Sequence, residues 1–204
     1  MLNKLKTNLG GKCTSVFINS DYSGFINVPV KSMRFCEAVH YSFKVPIRLT
    51  ADNLGCPGAR RSTGFEMNDE WLAKEISSNN QIPVSFVKSA LSQIPSLDGV
   101  KHIDLGTSNK IRNDLQPDLF ILYLPAFRIT GLMSNLARIG VKPSISPYFF
   151  LSVCGGIFAT SHINQVVSIS FGCPESRASG GIAKNEIVVG LPYSIADDLL
   201  HLYE

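Results

Sequence analysis

Charged side chains are scarce in this sequence. Asp, Glu, Lys and Arg make up 17% of its 204 residues, and the formal net charge is only +3. The nearest approach to a basic run is Lys4, Lys6 and Lys12 at the N-terminus. Nucleic-acid binding usually needs a denser basic surface, so we expect no nucleic-acid partner. Hydrophobic residues reach 45%, which argues against a disordered chain.

Long apolar runs are also missing. A helix that spans a bilayer needs about 18 to 20 apolar residues, whereas residues 119–124 (LFILYL) are followed at once by Pro125 and are typical of a buried strand. The N-terminal residues MLNKLKTNLGGK contain no apolar segment of a secretory signal. We therefore expect no membrane partner and a cytoplasmic location. Thiols stay reduced there, which favours metal ligands or reactive groups over disulfides.

Familiar catalytic motifs are absent as well. The sequence has no phosphate-binding Walker loop, no dinucleotide-binding glycine pattern, no serine-nucleophile signature and no His-Glu-x-x-His. It also lacks the close Cys-x-x-Cys pairs from which zinc sites are commonly built. No known motif therefore supplies a reaction, and the function has to be argued from the five cysteines.

A short Cys-Pro stretch occurs twice. Residues 55–64 (GCPGARRSTG) and 172–181 (GCPESRASGG) agree at Gly, Cys, Pro, Arg, Ser and the final Gly. A further cysteine precedes each stretch. Cys36 lies 20 positions before Cys56, and Cys154 lies 19 positions before Cys173. Pro29 and Pro147 each lie seven residues before these cysteines, and IPVSFVKSAL at 82–91 resembles LPYSIADDLL at 191–200. Four blocks in the same order predict an internal duplication, with extra residues of the first copy in MNDEWLAKEISSNNQ.

The pattern predicts an α/β fold made of two pseudo-symmetric repeated halves packed as one compact unit. We place the N-terminal half at residues 1–100, a connector at 101–116 and the C-terminal half at 117–204. Strands are expected at 47–50, 118–124 and 166–171, and Cys13 fills a strand position in CTSVFI. Helices are expected over 127–140, near Cys36 and Cys154, and after Ser85 and Ser194 as N-caps.

Four of the cysteines recur in pairs, and we expect the two halves to bring them together. The glycine and proline around Cys56 and Cys173 predict a rigid turn after a strand. Cys36, Cys56, Cys154 and Cys173 then supply four thiolates, which suit a 4Fe–4S cluster or a tetrahedral zinc ion. Wide ligand spacing favours the cluster. Zinc and a metal-free group of thiols remain alternatives.

Residues beside the cysteines are candidates for further roles. Arg60 and Arg177 recur four positions after the turn cysteines, where they could bind the cofactor or tie their own turn to backbone carbonyls. Gly155, next to Gly156, could admit a substrate or let helices pack. Glu37 and His40 have no equivalents after Cys154, which makes them candidates for catalytic proton transfer.

The cysteine blocks also carry a family resemblance. The stretches RFCEAVHYSF, GCPGARRSTGF, PDLFILYLPAFRITGLMSNLARIG, SVCGG and NEIVVGLPYSIADDLL resemble the Cys-rich ArCR family, domain of unknown function one-six-nine, over nearly the whole chain. The resemblance implies a Cys-rich, metal-linked protein and supplies no reaction.

The residues themselves favour an iron–sulfur protein that carries out redox or cluster-assisted chemistry on a small molecule. The alternative is a zinc-stabilised or metal-free small-molecule-binding module without catalysis. The expected partner is a small-molecule ligand or a redox protein, and a homo-oligomer is left open.

Overall fold

The computed structural model describes residues 2–28, 32–65, 67–107, 111 and 115–202. Within these residues eight strands form one sheet. The strands are β1 Lys12–Ile18, β2 Ile26–Asn27, β3 Ile47–Leu49, β4 Ile103–Gly106, β5 Leu119–Pro125, β6 Ser144–Ile145, β7 Ser168–Ser170 and β8 Glu186–Pro192.

The helices of the described residues are mostly short. They are α1 Leu2–Leu9, α2 Phe35–Ser42, α3 Pro57–Ser62, α4 Asp69–Asn80, α5 Val84–Gln93, α6 Ala126–Arg138, α7 Thr160–Asn164, α8 Pro174–Ser179 and α9 Tyr193–His201, with a π-helix at Ser152–Ala159 directly before α7. The mixture of helices with one sheet confirms the predicted α/β class. No helix in these described ranges is long and apolar enough to cross a bilayer.

The sheet runs in the order β2-β3-β4-β1-β5-β8-β7-β6. Its two centre strands, β1 and β5, are antiparallel and pair Ser15 with Phe120. On one side of the centre, β1, β4 and β3 are antiparallel neighbours and β2 joins β3 in parallel. On the other side, β5, β8 and β7 are antiparallel neighbours and β6 joins β7 in parallel.

Helices cover both faces of the sheet, so its central strands are buried on both sides. Along β5, Ile121 and Tyr123 contribute to one core, while Leu122 and Leu124 contribute to the other. Helices α2 to α5 and the π-helix pack into the first core, whereas α1, α6 and α9 pack into the second. Alternating side chains of one strand therefore support two separate helical layers.

Several predicted elements are confirmed. Strands β3, β5 and β7 lie within or overlap the expected segments, and helix α6 occupies the predicted stretch before Gly140. Cys13 fills a strand position in β1, as expected. A helix also begins at Phe35, one residue before Cys36.

The predicted helix starts at Ser85 and Ser194 are wrong. Helices α5 and α9 begin one residue before these serines and are capped by Pro83 and Pro192, whose backbones are extended. Neither cap makes a side-chain hydrogen bond. Proline fixes φ while leaving ψ extended, so the chain turns into the helix directly after the ring.

The segment predicted to connect two halves contains a strand of the sheet. Strand β4 lies inside the predicted connector 101–116 and pairs antiparallel with both β1 and β3. Its four residues, IDLG, are too few to show a clear alternation in the sequence. Residues 108–110 and 112–114 of that connector, and Pro29, lie outside the described residues.

The two similar proline-helix blocks occupy different places in the fold. Helix α5, from the first block, precedes β4 in the chain, whereas α9, from the second, follows β8. Helix α4 falls in the segment where the first copy was expected to carry extra residues, and it packs against α5. The block at 82–91 is therefore not a positional counterpart of the block at 191–200.

Candidate functional site

One cavity of about 330 Å³ is lined by four cysteines. They are Cys36, Cys56, Cys154 and Cys173, and the chain places them on α2, before α3, in the π-helix and before α8. All five cysteines of the protein are free of disulfides. Cys13 is the one outside the cavity lining, and it packs in the core on the opposite face of the sheet.

The two Cys-Pro stretches form the starts of short helices. Cys56 and Cys173 are N-caps with extended backbones, and Pro57 and Pro174 occupy the first helical turn. Proline suits this position because its missing N–H would have no partner in the helix. The sequence predicts a turn here; the helices after it were missed, although proline directly after a capping residue was the available signal.

Cys154 is held by an unusual helix. Leu151 precedes the helix with φ +49°, and its carbonyl accepts hydrogen bonds from the N–H groups of both Gly155 and Gly156, at 2.8 and 2.9 Å. Gly58 on α3 leaves space for the Leu151 side chain, since a Cβ there would lie 2.8 Å from Leu151 Cγ. π-Helices are rare and occur frequently at functional sites.

Burial opposes ionisation of two of these thiols, Cys36 and Cys154. It raises the pKa of Cys36 to about 12, with further contributions from Cys173 and Cys56. Burial also raises the pKa of Cys154 well above its usual value, and a hydrogen bond from Ser62 opposes it. The mutual effects of these thiols on one another reflect their proximity around the cavity.

The surroundings of Cys56 act on its thiol in opposite directions, and on balance its pKa is raised. Burial raises its pKa, while the backbone N–H of Ala59, the charge of Arg34 and the N–H of Gly58 lower it. Cys173 has a similar neighbour, because the N–H of Ser176 donates to its Sγ at 3.4 Å. Among the described residues, no group of three or more His, Cys, Asp or Glu side chains is arranged to hold a metal ion.

The two recurring arginines bind the backbone of their own loops. Arg177 donates to the carbonyls of Phe171, Ala183 and Glu186 at 2.7 to 2.9 Å. Arg60 donates from Nη1 to the carbonyls of Ala51 and Leu54. Neither arginine lines the cavity. These hydrogen bonds agree with the turn-stabilising alternative, and cofactor binding by Arg60 and Arg177 stays a prediction.

Gly155 serves helix packing. A Cβ on this residue would lie 2.6 Å from Ile94 Cγ2 and 3.1 Å from Ser62 Oγ, so the π-helix approaches α3 and the end of α5 closely. At Gly156 a Cβ would meet Ser146 Oγ at 2.5 Å. Neither glycine lines the cavity.

The two candidate proton-transfer residues lie outside the cavity lining. The Glu37 carboxylate accepts a hydrogen bond from the backbone N–H of Arg34 at 3.0 Å, which caps the start of α2. The His40 ring packs against Gly181, and its Nδ1 is buried without a hydrogen-bond partner in the described part of the chain. Glu37 therefore has a local structural task, and His40 is separated from the cavity surface.

Several residues of the site were not predicted. Arg34 lines the cavity two positions before Cys36, and Glu75 and Glu175 also line it. The apolar part of the lining was missed too, and it includes Leu72, Ile76, Phe150, Leu151 and Val153. The one available signal was proximity in sequence to a cysteine, which applies to Arg34, Val153 and Glu175 but not to α4.

Tyr123 on β5 lies in the same core as Cys36 and Cys154, although it does not line the cavity. Its side chain is fully buried, and its hydroxyl has no hydrogen-bond partner among the described residues. Burial raises the pKa of Tyr123 well above its usual value, and Cys36, Glu186 and Cys173 raise it further. The hydroxyl is thus a buried donor in the core on the cavity side of the sheet.

Comparison with curated proteins and with solved structures returns no match. Residues 16–201 match a family described as uncharacterised ArCR (DUF169), which covers most of the chain and all four cysteines of the cavity. This chain belongs to the uncharacterised ArCR family.

Proposed function

We propose that Cys36, Cys56, Cys154 and Cys173 bind a 4Fe–4S cluster, and that the protein carries out redox chemistry on a small molecule beside it. The observation that carries the proposal is the lining of one cavity by four free cysteines that lie far apart in the chain. Four thiolates are the usual ligand set of such a cluster. Because they would occupy all four irons, electron transfer is favoured over direct binding of substrate to iron. A reducing compartment such as the cytoplasm would keep these thiols available.

We also infer that the chain consists of two repeated halves. In support, β1-β4-β3-β2 and β5-β8-β7-β6 have the same sequence of antiparallel and parallel pairings outward from the sheet centre. In chain order, one cysteine of each set lies in a helix before the third strand, which is β3 or β7. A second cysteine lies directly after that strand. Each half would then contribute two ligands.

The donor groups around the cysteines suit bound thiolates. The backbone N–H of Glu37 favours the thiolate of Cys36, and Ser62 favours that of Cys154. Cys56 and Cys173 have the N–H groups of Ala59 and Ser176. Hydrogen bonds to sulfur stabilise iron–sulfur clusters and set their potentials.

The orphan hydroxyl of Tyr123 is a second sign of fit. A buried hydroxyl without a partner is costly, and sulfur atoms bound at Cys36 and Cys173 would provide an acceptor nearby. The cavity volume of about 330 Å³ also favours a polynuclear group over a single ion. Four thiolates on one zinc ion, with Zn–S of about 2.3 Å, would have to converge to about 3.8 Å from one another.

Metal analysis of protein purified without oxygen tests the proposal. We expect about four iron atoms and four inorganic sulfides per chain, with a brown colour and broad absorption around 400 nm. A colourless protein with about one zinc per chain would instead favour the zinc-stabilised module. If neither metal is present, the metal-free binder becomes the better account.

A tyrosine variant tests whether the hydroxyl of Tyr123 donates a hydrogen bond to the proposed cluster. Tyr123→Phe should bind the same amount of iron and have a lower reduction potential, by tens of millivolts in order of magnitude, because the reduced cluster loses a hydrogen bond. Tyr193→Phe is the control, since Tyr193 packs against the core on the other face of the sheet. Equal potentials in the two variants would remove Tyr123 from the site.

A further inference from the structure

Arg34 places a positive charge on the wall of the cavity. It directly precedes α2, is half-buried, and lines the cavity together with Cys36 and Cys56. Its charge lowers the pKa of Cys56, so the guanidinium lies near that sulfur. In the described part of the chain, this guanidinium donates no hydrogen bond to a protein acceptor and forms no ion pair.

Other half-buried arginines of the described residues have acceptors. Arg48 pairs with Asp104 at 2.7 Å. The rest donate to backbone carbonyls or to a carboxylate, and they are Arg60, Arg61 and Arg177. A partly buried guanidinium normally satisfies its donors within the protein. Arg34 is the exception among the described residues, and its place on the cavity wall leaves its charge open to an anionic group of a bound molecule.

The carboxylates around the cavity do not provide this acceptor. Glu37 accepts from the backbone N–H of Arg34. Glu75 accepts from the side-chain amide of Asn79, and Glu175 is exposed at the first turn of α8. Arginine has five N–H donors in a planar fork, so one edge can face the Cys56 sulfur while another binds a carboxylate in the cavity.

We propose that the cavity binds a small organic acid whose carboxylate pairs with Arg34. This inference rests on the proposed function and identifies the class of its substrate. The remaining walls are largely apolar and include Leu72, Ile76, Phe150, Leu151 and Val153, which favours an apolar body next to the acid group. The exposed Glu75 and Glu175 of the lining would repel a second carboxylate, so the ligand is a monocarboxylic acid.

Calorimetric titration of anaerobically purified protein with benzoate, hexanoate, benzamide and phthalate tests the inference. We expect at least one of the two monocarboxylates to bind at least tenfold more tightly than benzamide and than the dicarboxylate phthalate. Arg34→Gln should weaken that binding at least tenfold. Arg138→Gln removes the same charge from an exposed position on α6 and should change the affinity by less than twofold.

Arg34→Lys separates the charge of the side chain from its forked geometry. It keeps the cation without the fork, so binding intermediate between wild type and Arg34→Gln supports a direct contact. If neither monocarboxylate binds, if benzamide binds as tightly, or if Arg34→Gln matches Arg138→Gln while both remain folded, the acid site is wrong. Iron is measured on the same samples: iron-free protein that still prefers the acid contradicts the cluster alone, and iron-replete protein without the preference contradicts the acid site alone.

Discussion

Helix α2 and the π-helix each carry one cavity cysteine and are built differently. After Cys36 comes Glu37, whose carboxylate turns back to cap the helix start. After Cys154 comes Gly155, whose lack of a side chain lets the π-helix pack against Ile94 and Ser62. Similar cysteine spacing in a sequence thus does not require similar helices. The residue after each cysteine is determined by what it contacts, and those contacts differ between the two helices.

The short helices α3 and α8 show the opposite relation. Both begin with a capping cysteine and a proline, and both carry an arginine that binds backbone carbonyls of its own loop. The features that recur here stabilise the loop. Two residues that do not recur are Arg34, which lines the cavity, and Tyr123, whose buried hydroxyl has no hydrogen-bond partner among the described residues.

The largest expected effect comes from removing one cysteine from each Cys-Pro helix in turn. Cys56→Ala and Cys173→Ala should each lose most of the bound iron and the absorption around 400 nm, because a cluster with three thiolates is less firmly held. Cys13→Ala is the control, since Cys13 lies in the other core. Unequal retention would show which side of the cavity binds more strongly, and full iron in both variants contradicts the proposed ligand set.

The arginine pair should differ in stability. Arg177→Ala leaves three carbonyls without their donor, and Arg60→Ala leaves two. We expect losses in the free energy of unfolding of about 2 to 3 kcal/mol for Arg177→Ala and about 1 to 2 kcal/mol for Arg60→Ala. Urea denaturation measures both. The reverse order would mean that the loop before α3 depends more on its arginine than the hydrogen bonds indicate.

The close packing at Gly155 can be separated from the low helix propensity of glycine. Gly155→Ala should destabilise the protein by about 1 to 3 kcal/mol because the added methyl group meets Ile94 and Ser62. Gly131→Ala, inside α6 where a Cβ has open space, should instead stabilise it by about 0.5 to 1 kcal/mol. Thermal unfolding of the two variants compares them, and a neutral Gly155→Ala would argue against close packing of the π-helix.

The smallest effect is expected at Glu37. Glu37→Gln keeps an oxygen that can accept the N–H of Arg34 but loses the charge, so the free energy of unfolding should fall by less than about 1 kcal/mol. Iron content and reduction potential should stay at the wild-type level. A large drop in turnover with the folded state intact, once a reaction is known, would restore Glu37 as a proton-transfer residue.

Strands β1, β3, β5 and β7 could be predicted from local patterns. The apolar stretch at 119–124 and the amphipathic stretch before Gly140 form β5 and α6 because burial and helical periodicity act over neighbouring residues. Strand β4 was missed because four residues show too little alternation. The roles of Ser85 and Ser194 were misjudged because the preceding prolines set the start of the helix.

The site was harder to predict than the fold. Recurrence in the sequence pointed to Cys36, Cys56, Cys154 and Cys173, which line one cavity. Recurrence could not identify Tyr123, which lies in an ordinary buried strand, or the residues of α4, which reach the cavity through tertiary packing alone. Whether a polar group has a partner depends on residues far away in the chain, and no local pattern records it.

The cavity also has a consequence for synthesis of the protein. Its lining begins at Ser32 and extends to Ser176, so a growing polypeptide on the ribosome cannot enclose it until Ser176 has emerged. At about 5 to 20 residues per second, the early thiols wait for several seconds before their later counterparts appear. A cofactor held by all four cysteines can be delivered only after Cys173 has emerged, and oxidants have that interval in which to reach the first two cysteines.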